Sequence, residues 1–115
     1  MATIAEVEAF LREVRLKVGL GRCQLWSRDR HTVTALAADG LLFQDIWPTV
    51  QKLATSDYSG GPEPDDNPAR GGQVWIFGPT LRGIPLYVKL KATDAGNLEC
   101  LSFHAATAPL PHPLP

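Results

Sequence analysis

The chain has 115 residues, which is enough for one domain that buries its own core without disulfides or bound metals. Its hydrophobic fraction of 44% is ordinary for a globular protein, and no apolar run approaches the roughly 20 residues that cross a bilayer. Glu6 and Glu8 stand where a signal peptide needs basic residues, so we expect a cytoplasmic protein that does not engage membranes.

The charge of the chain is unevenly distributed. The formal net charge of −1 argues against a nucleic-acid partner, because such proteins usually carry a basic surface. However, residues 67–92 contain no acid and carry these basic side chains: Arg70, Arg82, Lys89 and Lys91. The acids just before this segment are Glu63, Asp65 and Asp66. We therefore expect one positive region on a molecule that is nearly neutral as a whole.

A capping box and one apolar stripe predict a first helix from Thr3 to about Val18. Thr3 and Glu6 have the capping-box spacing, and Gly19 and Gly21 provide a helix end. The residues that recur at helical spacing are Val7, Phe10, Leu11, Val14 and Val18. This helix is expected to pack its stripe against the rest of the domain.

Shorter elements follow the first helix. Gly21 to Trp26 has strand-compatible residues, and Ser27 or Asp29 offers an N-cap for a second helix that runs to Ala38 and closes at Gly40. Asp45 can cap a third helix, in which Pro48 is tolerated because it falls in the first turn. The apolar residues of this third helix are Ile46, Trp47, Val50 and Leu53.

The second half of the chain begins with a change in composition. Residues from Ser56 to Gly72 are rich in Gly, Pro and Asp without periodicity, which predicts a long loop. The strands expected after it are Gln73–Phe77, Leu86–Lys91 and Leu98–His104. We expect residues 1–107 to form the domain, whereas the proline-rich residues 108–115 form an extended or disordered tail.

The isolated cysteines and histidines have no metal-site spacing. Cys23 and Cys100 have apolar neighbours and are expected to be small buried residues in strands. His31, beside a helix start, and His112, in the proline tail, are interpreted as incidental.

The last two strands predict a surface with chemistry. If Asp94–Asn97 is a four-residue loop, the cross-strand pairs are Tyr87 with His104, Lys89 with Ser102 and Lys91 with Cys100. This register places the apolar residues Leu86, Val88, Leu90, Leu101 and Phe103 on the core side. We call the opposite side the polar face, and its residues are Tyr87, Lys89, Lys91, Ser102 and His104.

The polar face suits cleavage of RNA by internal attack of a 2′-hydroxyl. That reaction needs a base, an acid and cations for the charge on the phosphate, and histidine transfers protons near neutral pH. Lysines can hold the phosphate, and a tyrosine can donate a hydrogen bond or stack on a base. No metal or other cofactor is required by this chemistry.

Other interpretations stay open. Antiparallel sheets often expose polar residues without a function, so the polar face is also compatible with a noncatalytic binding protein. Trp75 and Phe77 share a strand face and are either a stacking platform for bases or residues packed under helices. Asp57, Asp65 and Asp66 suggest a metal-dependent enzyme, although acids between prolines usually form solvated turns.

The order of the segments resembles the MqsR family of messenger-RNA interferases, which are RelE-like toxins. The matching segments are Leu53-Ala54-Thr55-Ser56-Asp57-Tyr58, a strand around Trp75, Leu86-Tyr87-Val88-Lys89-Leu90 and Leu101-Ser102-Phe103-His104. The likeness covers roughly residues 6–104. It implies an α+β fold with N-terminal helices on a small antiparallel sheet, cleavage of mRNA, and neutralisation by a cognate antitoxin protein.

The resemblance also implies roles for single residues. The family's active tyrosine corresponds to Tyr87, whereas the lysine that follows Ser-Phe in the family is replaced by His104. The family's glutamine after the strand tryptophan is replaced by Ile76, and its lysine after the Asp-aromatic-Tyr segment has no equivalent, so we choose Arg70 as the missing cation. The candidate catalytic residues are His104, Tyr87 and Lys89, and the candidate substrate-binding residues are Lys91, Arg70, Ser102 and Trp75.

Overall fold

In the computed structural model, helix α1 (Ile4–Gly19) has the start and the end that the sequence predicts. The Thr3 hydroxyl accepts a hydrogen bond from the Glu6 amide at 3.2 Å, and the Glu6 carboxylate accepts one from the Thr3 amide at 3.0 Å. Gly21 adopts a left-handed conformation with φ of 71°, which allows the chain to leave the helix. The stripe residues Val7, Phe10, Leu11 and Val14 are buried.

The structure describes residues 1–25 and 36–115. Most of the predicted second helix, together with Trp26 and His31, lies outside these residues, but residues 36–38 are helical and Gly40 follows them with φ of 76°. Helix α2 (Ile46–Gln51) starts directly after Asp45, with Ile46 and Val50 buried. The Asp45 side chain does not cap it as predicted, because its carboxylate accepts hydrogen bonds from the Leu42 amide and from Arg82 instead. None of the helices in the described residues is long and apolar enough to cross a membrane.

The helices pack on a sheet whose strands in the described residues are β1 (Cys23–Leu25), β2 (Tyr58–Pro64), β3 (Gln73–Phe77), β4 (Thr80–Leu81), β5 (Ile84–Ala92) and β6 (Leu98–Ala105). The strand order is β1-β6-β5-β3-β2, and the short β4 pairs with β5 beside this path. β1 is parallel to β6, whereas the other pairs are antiparallel. The architecture is therefore α+β, as expected, with a mixed rather than a wholly antiparallel sheet.

The prediction of a loop from Ser56 to Gly72 is wrong for Tyr58–Pro64, which form the edge strand β2. Its pairing with β3 contains two register shifts, and a bulged strand of this kind tolerates glycine and proline because it lies at the sheet edge. Gly61 approaches β3 so closely that a Cβ would lie 2.4 Å from the Val74 carbonyl oxygen. Tyr58 anchors the strand, since its ring is fully buried and its hydroxyl accepts a hydrogen bond from the Ala2 amide.

The outer half of the β5–β6 hairpin has the predicted register. Tyr87 lies opposite His104 and Lys89 lies opposite Ser102. The side chains that alternate with them on β5 are buried in the core: Leu86, Val88 and Leu90. The polar face of the hairpin is therefore confirmed for these four residues.

The half of the hairpin nearest the loop has a different register. Lys91 pairs with Glu99 rather than with Cys100, because a bulge leaves Leu101 as the extra residue between Ser102 and Cys100. The loop also contains five residues, Thr93 to Asn97, instead of four, because Leu98 pairs with Ala92 rather than with Thr93. The shift turns Leu98 and Cys100 into the core, where 1% and 0% of their surface is exposed.

The core lies between the helices and one face of the sheet. It also contains Cys100, and burial raises the pKa of this thiol to about 12. Both cysteines are free and lie in strands, as the sequence predicts, but Cys23 is only partly buried instead of fully buried.

The proline-rich tail runs back over the domain as an extended segment. The Ala106 amide donates to the Pro85 carbonyl at 2.9 Å, and a ring nitrogen of His112 lies 2.8 Å from the Gly78 carbonyl oxygen. Leu114 packs against the core, and the Thr55 hydroxyl reaches the Pro115 carbonyl at 3.5 Å. His112, interpreted as incidental from the sequence, is therefore part of the contact between tail and domain.

Candidate active site

Tyr87 and His104 form a stacked pair at the outer end of the polar face. Their ring centroids are 5.2 Å apart and the ring planes are inclined by 12°. Both residues are half-buried, so each ring retains solvent-accessible surface. The stack exists because β5 and β6 place the two residues directly opposite each other.

The backbone fixes the orientation and the tautomer of the His104 ring. Nδ1 lies 2.8 Å from the carbonyl oxygen of Ala105. Because a carbonyl oxygen only accepts hydrogen bonds, Nδ1 must carry a proton in this arrangement. In the neutral ring Nε2 is then left with a lone pair, and this atom is suited to act as a base.

The residue that receives this hydrogen bond is itself held in place. The Ala105 amide donates to the Asp39 carboxylate at 2.9 Å, and the next amide, of Ala106, donates to the Pro85 carbonyl at 2.9 Å. Sequence reasoning missed Asp39, because it is 66 residues from Ala105 and no local pattern indicates that the two meet.

Lys89 lies next to the stacked pair, opposite Ser102. Its side chain is 24% exposed, and its ammonium nitrogen is 3.8 Å from the carboxylate of Asp66, which is 96% exposed. An ion pair with such an exposed partner is weak, since water competes for both charges. Lys89 can therefore exchange this carboxylate for a phosphate of an incoming ligand.

Lys91 does not have the exposed position that the sequence predicts. Its ammonium group donates to the Asp65 carboxylate at 2.7 Å, and only 5% of the lysine side chain and 9% of the aspartate side chain are exposed. The hydrogen bond from Lys91 holds the pKa of Asp65 below its usual value, with a second contribution from the Asn67 amide. In this structure Lys91 is thus bound to Asp65, and its expected exposure on the polar face is wrong.

The loop after β2 covers Lys91 tightly. Gly72 has φ of 77°, and a Cβ at this position would lie 2.7 Å from Cε of Lys91 and 2.6 Å from the Ala92 carbonyl oxygen. A side chain at this position would therefore force the loop away from β5. Glycine is what allows the segment that carries Asp65 to seal over Lys91.

Arg70 lies in the same loop, at the end of the 3₁₀ turn Pro68–Arg70, and is exposed. After the larger effects of Lys91 and of the Asn67 amide, the charge of Arg70 also lowers the pKa of Asp65. Arg70 is therefore close to Asp65, which faces Lys91. This position is compatible with the predicted role of a backbone-binding cation.

Trp75 is on the opposite side of the sheet from the polar face. Its ring stacks on Phe10 of α1 with centroids 4.3 Å apart, and only 6% of the residue is exposed. Phe77 is fully buried beside it. Trp75 consequently has no free ring face for a nucleotide base. Of the two interpretations left open by the sequence, it fits a residue packed under the helices and not a stacking platform.

The acids considered as metal ligands have other contacts. The Asp57 carboxylate accepts a hydrogen bond from the Ala54 amide at 2.9 Å, and Asp65 is bound to Lys91. Within residues 1–25 and 36–115, no three His, Cys, Asp or Glu side chains form a group that could hold a metal ion.

Comparison with known proteins adds no relative: no family model, curated protein or solved structure matches the chain. The chemistry of the site must then be inferred from its own residues. A histidine with a directed lone pair, a phenol, a hydroxyl and an exchangeable ammonium group lie together on one sheet face. These groups supply a base, hydrogen-bond donors and a cation, which together suit the transfer of a phosphoryl group.

Proposed function

We propose that the chain is a metal-independent endoribonuclease that cleaves mRNA, a divergent toxin of the MqsR type with a RelE-like fold. The observation that carries the proposal is the stack of Tyr87 on His104 beside Lys89, on the sheet face opposite the one against which α1 and α2 pack. The sequence resemblance described above supports the same activity, together with a cognate antitoxin as the partner and the cytoplasm as the location.

In the proposed reaction, Nε2 of His104 accepts the proton of the 2′-hydroxyl while the resulting oxygen attacks the adjacent phosphorus. The bond to the 5′ oxygen breaks, and the leaving oxygen takes up a proton from the protonated imidazole or from water. The Tyr87 hydroxyl and the Lys89 ammonium group stabilise the negative charge that develops on the phosphate. The products are a 2′,3′-cyclic phosphate and a 5′-hydroxyl.

Ser102 and Arg70 have supporting roles in this proposal. Ser102 lies opposite Lys89 and offers a hydroxyl to the same phosphate. Arg70 is exposed in the neighbouring loop and would contact the RNA backbone on one side of the scissile bond. Lys91 supports the site indirectly, because its ion pair with Asp65 fixes that loop.

The test is cleavage of a single-stranded RNA by the purified chain in the presence of a chelator. We expect products with cyclic phosphate ends, loss of cleavage in His104→Ala, and a strong reduction in Tyr87→Phe, which keeps the ring. Lys89→Ala should also reduce cleavage, whereas Lys52→Ala, which removes an exposed lysine of the α2 end, should not. Intact RNA with the wild-type chain, or equal cleavage by His104→Ala, contradicts the proposal.

A second candidate is a noncatalytic protein-binding module with the same fold. The observation that favours it is the neutralisation of both lysines of β5 by Asp65 and Asp66, in a chain whose net charge is −1. Salt dependence separates the two functions, since binding to RNA phosphates weakens steeply with salt. Tight, salt-insensitive binding to a protein without any RNA cleavage would favour the module.

A further inference from the structure

We infer that Asp39 is a positioning residue for His104: through the backbone of Ala105 it holds the imidazole in the tautomer whose Nε2 is free to accept a proton. This inference rests on the proposed function, because it explains why His104 acts as a base through Nε2. Two hydrogen bonds that share Ala105 carry it. The Ala105 amide donates to the Asp39 carboxylate, and the Ala105 carbonyl accepts from Nδ1 of His104.

The Asp39 carboxylate is well placed to act as a fixed anchor. The turn that carries it is closed by the Leu41 amide, which donates to the Leu36 carbonyl at 2.8 Å, and both leucines are 1% exposed. Arg82 holds the same turn from outside, since its guanidinium donates to the Gly40 carbonyl at 3.3 Å. The turn is thus attached both to the core and to the β4–β5 connection.

The Ala105 amide has its hydrogen-bond partner outside the ladder of β5 and β6, in the Asp39 carboxylate. In the described residues, β1 pairs with Leu98–Cys100 of β6. The Ala105 amide lies on the far side of β6 from the hydrogen bond that the next amide, of Ala106, makes to Pro85. Asp39 supplies the missing acceptor, and the peptide groups on both sides of Ala105 are then held.

With both neighbouring peptide groups held, the Ala105 carbonyl cannot rotate away from Nδ1 of His104. The hydrogen bond made by one ring nitrogen determines where the proton of a neutral imidazole resides. Loss of the Asp39 contact would leave the Ala105 amide without this acceptor and loosen its peptide group, and His104 would then exchange between its two tautomers. Only one of these presents an acceptor at Nε2 for a 2′-hydroxyl.

The experiment is ¹⁵N NMR of the full chain with ¹⁵N-labelled histidine, recorded at a pH at which the His104 ring is neutral. We expect His104 to have its proton on Nδ1 in the wild-type chain and a mixture of tautomers in Asp39→Ala. Asp39→Asn retains an acceptor oxygen and should keep the wild-type tautomer. In RNA cleavage, Asp39→Ala should lower kcat by about tenfold or more with little change in KM, as expected for a misplaced catalytic group.

Asp57→Ala is the matched control, because Asp57 also accepts a hydrogen bond from a backbone amide but belongs to the turn before β2. It should lower stability without altering the His104 tautomer. If Asp39→Ala does not fold, Asp39→Ser, whose hydroxyl is one bond shorter, is measured in its place. If Asp39→Ala, or Asp39→Ser in its place, is folded and keeps the wild-type tautomer, the inference is overturned, whether or not the chain cleaves RNA. Absence of cleavage by a wild-type chain with the expected tautomer overturns the proposed function alone.

Discussion

Asp65 and Lys91 form a nearly buried ion pair, 2.7 Å from carboxylate oxygen to ammonium nitrogen, on the same sheet face as the Tyr87–His104 stack. The next acid, Asp66, pairs with Lys89 at 3.8 Å but remains almost wholly exposed. Two adjacent acids thus meet two lysines of one strand in very different surroundings. The first pair is structural and the second is exchangeable, and this difference can be tested.

Replacement of Asp65 by Ala should destabilise the fold by roughly 3–5 kcal/mol, because it leaves the Lys91 charge buried without a partner. Asp66→Ala should cost only about 0–1 kcal/mol, as is usual for an exposed pair. Urea unfolding at neutral pH measures both values. The double variant Asp65→Leu/Lys91→Met should recover most of the loss, and equal destabilisation by the two single variants would refute the assignment.

The same pair predicts a dependence of stability on pH. The hydrogen bond from Lys91 lowers the pKa of Asp65 in the folded chain relative to a value of about 4 when unfolded. A carboxyl group of this kind stabilises the fold above about pH 4, and its contribution is lost as the pH falls through the lowered, folded-state value. The difference in unfolding free energy between the wild type and Asp65→Asn should be constant between about pH 7 and 5 and shrink below about pH 4. A difference that persists in strong acid would contradict this prediction.

Removal of the exchangeable acid should strengthen binding to RNA. In Asp66→Asn, Lys89 no longer has to exchange a carboxylate for a phosphate, and the affinity for a non-cleavable 2′-O-methyl RNA should rise about two- to fivefold at low salt. The control is Glu8→Gln, which changes the net charge equally but lies on an exposed position of α1. An equal gain in both variants would mean that only the net charge matters.

Lys89 itself should account for part of the salt dependence of RNA binding. Lys89→Met should weaken binding at low salt and reduce the slope of log affinity against log salt by about 1, the value for one lost phosphate contact. Lys52→Met, at the end of α2, should leave the slope unchanged. An unchanged slope in Lys89→Met would show that the lysine does not meet a phosphate.

The tail contact predicts a stability effect from residues 108–115. His112→Ala removes the hydrogen bond to the Gly78 carbonyl and should lower the unfolding free energy by about 1 kcal/mol. Truncation after Thr107 should cost more, because it also exposes the surface that Leu114 covers. Thermal unfolding of both variants beside Thr107→Ala, which changes an exposed residue, measures these effects. Unaltered stability of the truncated chain would show that the tail does not contribute.

The elements that the sequence predicts well are those with a strong local signal. The capping box and apolar stripe of α1 depend only on neighbouring residues, and the alternation of β5 determines which of its side chains face the core. These two features needed no knowledge of the remaining fold. The pairing of Tyr87 with His104 is as predicted because two differences offset each other: the turn is one residue longer than predicted, and the bulge at Leu101 adds one residue to β6.

The features that sequence reasoning missed depend on contacts between distant segments. Nothing local in the Gly- and Pro-rich segment shows that β2 completes an edge of the sheet, because its pairing is irregular. The burial of Lys91 follows from a loop 26 residues earlier in the chain. Asp39 could have been noticed as an acid beside a helix end, but only the folded chain shows that it reaches Ala105.

The bulge at Leu101 makes the two ends of the hairpin unequal in their tolerance of insertions and deletions. Gain or loss of a residue within the Thr93–Asn97 loop leaves the β5–β6 pairs unchanged, although it disturbs the contact of Asn97 with Arg22. Deletion of Leu101 would instead force a choice, because either His104 loses its position opposite Tyr87 or Cys100 and Leu98 leave the core. Proteins related to this chain can thus differ in the length of that turn, whereas we expect the number of residues on β6 between the turn and His104 to be constant.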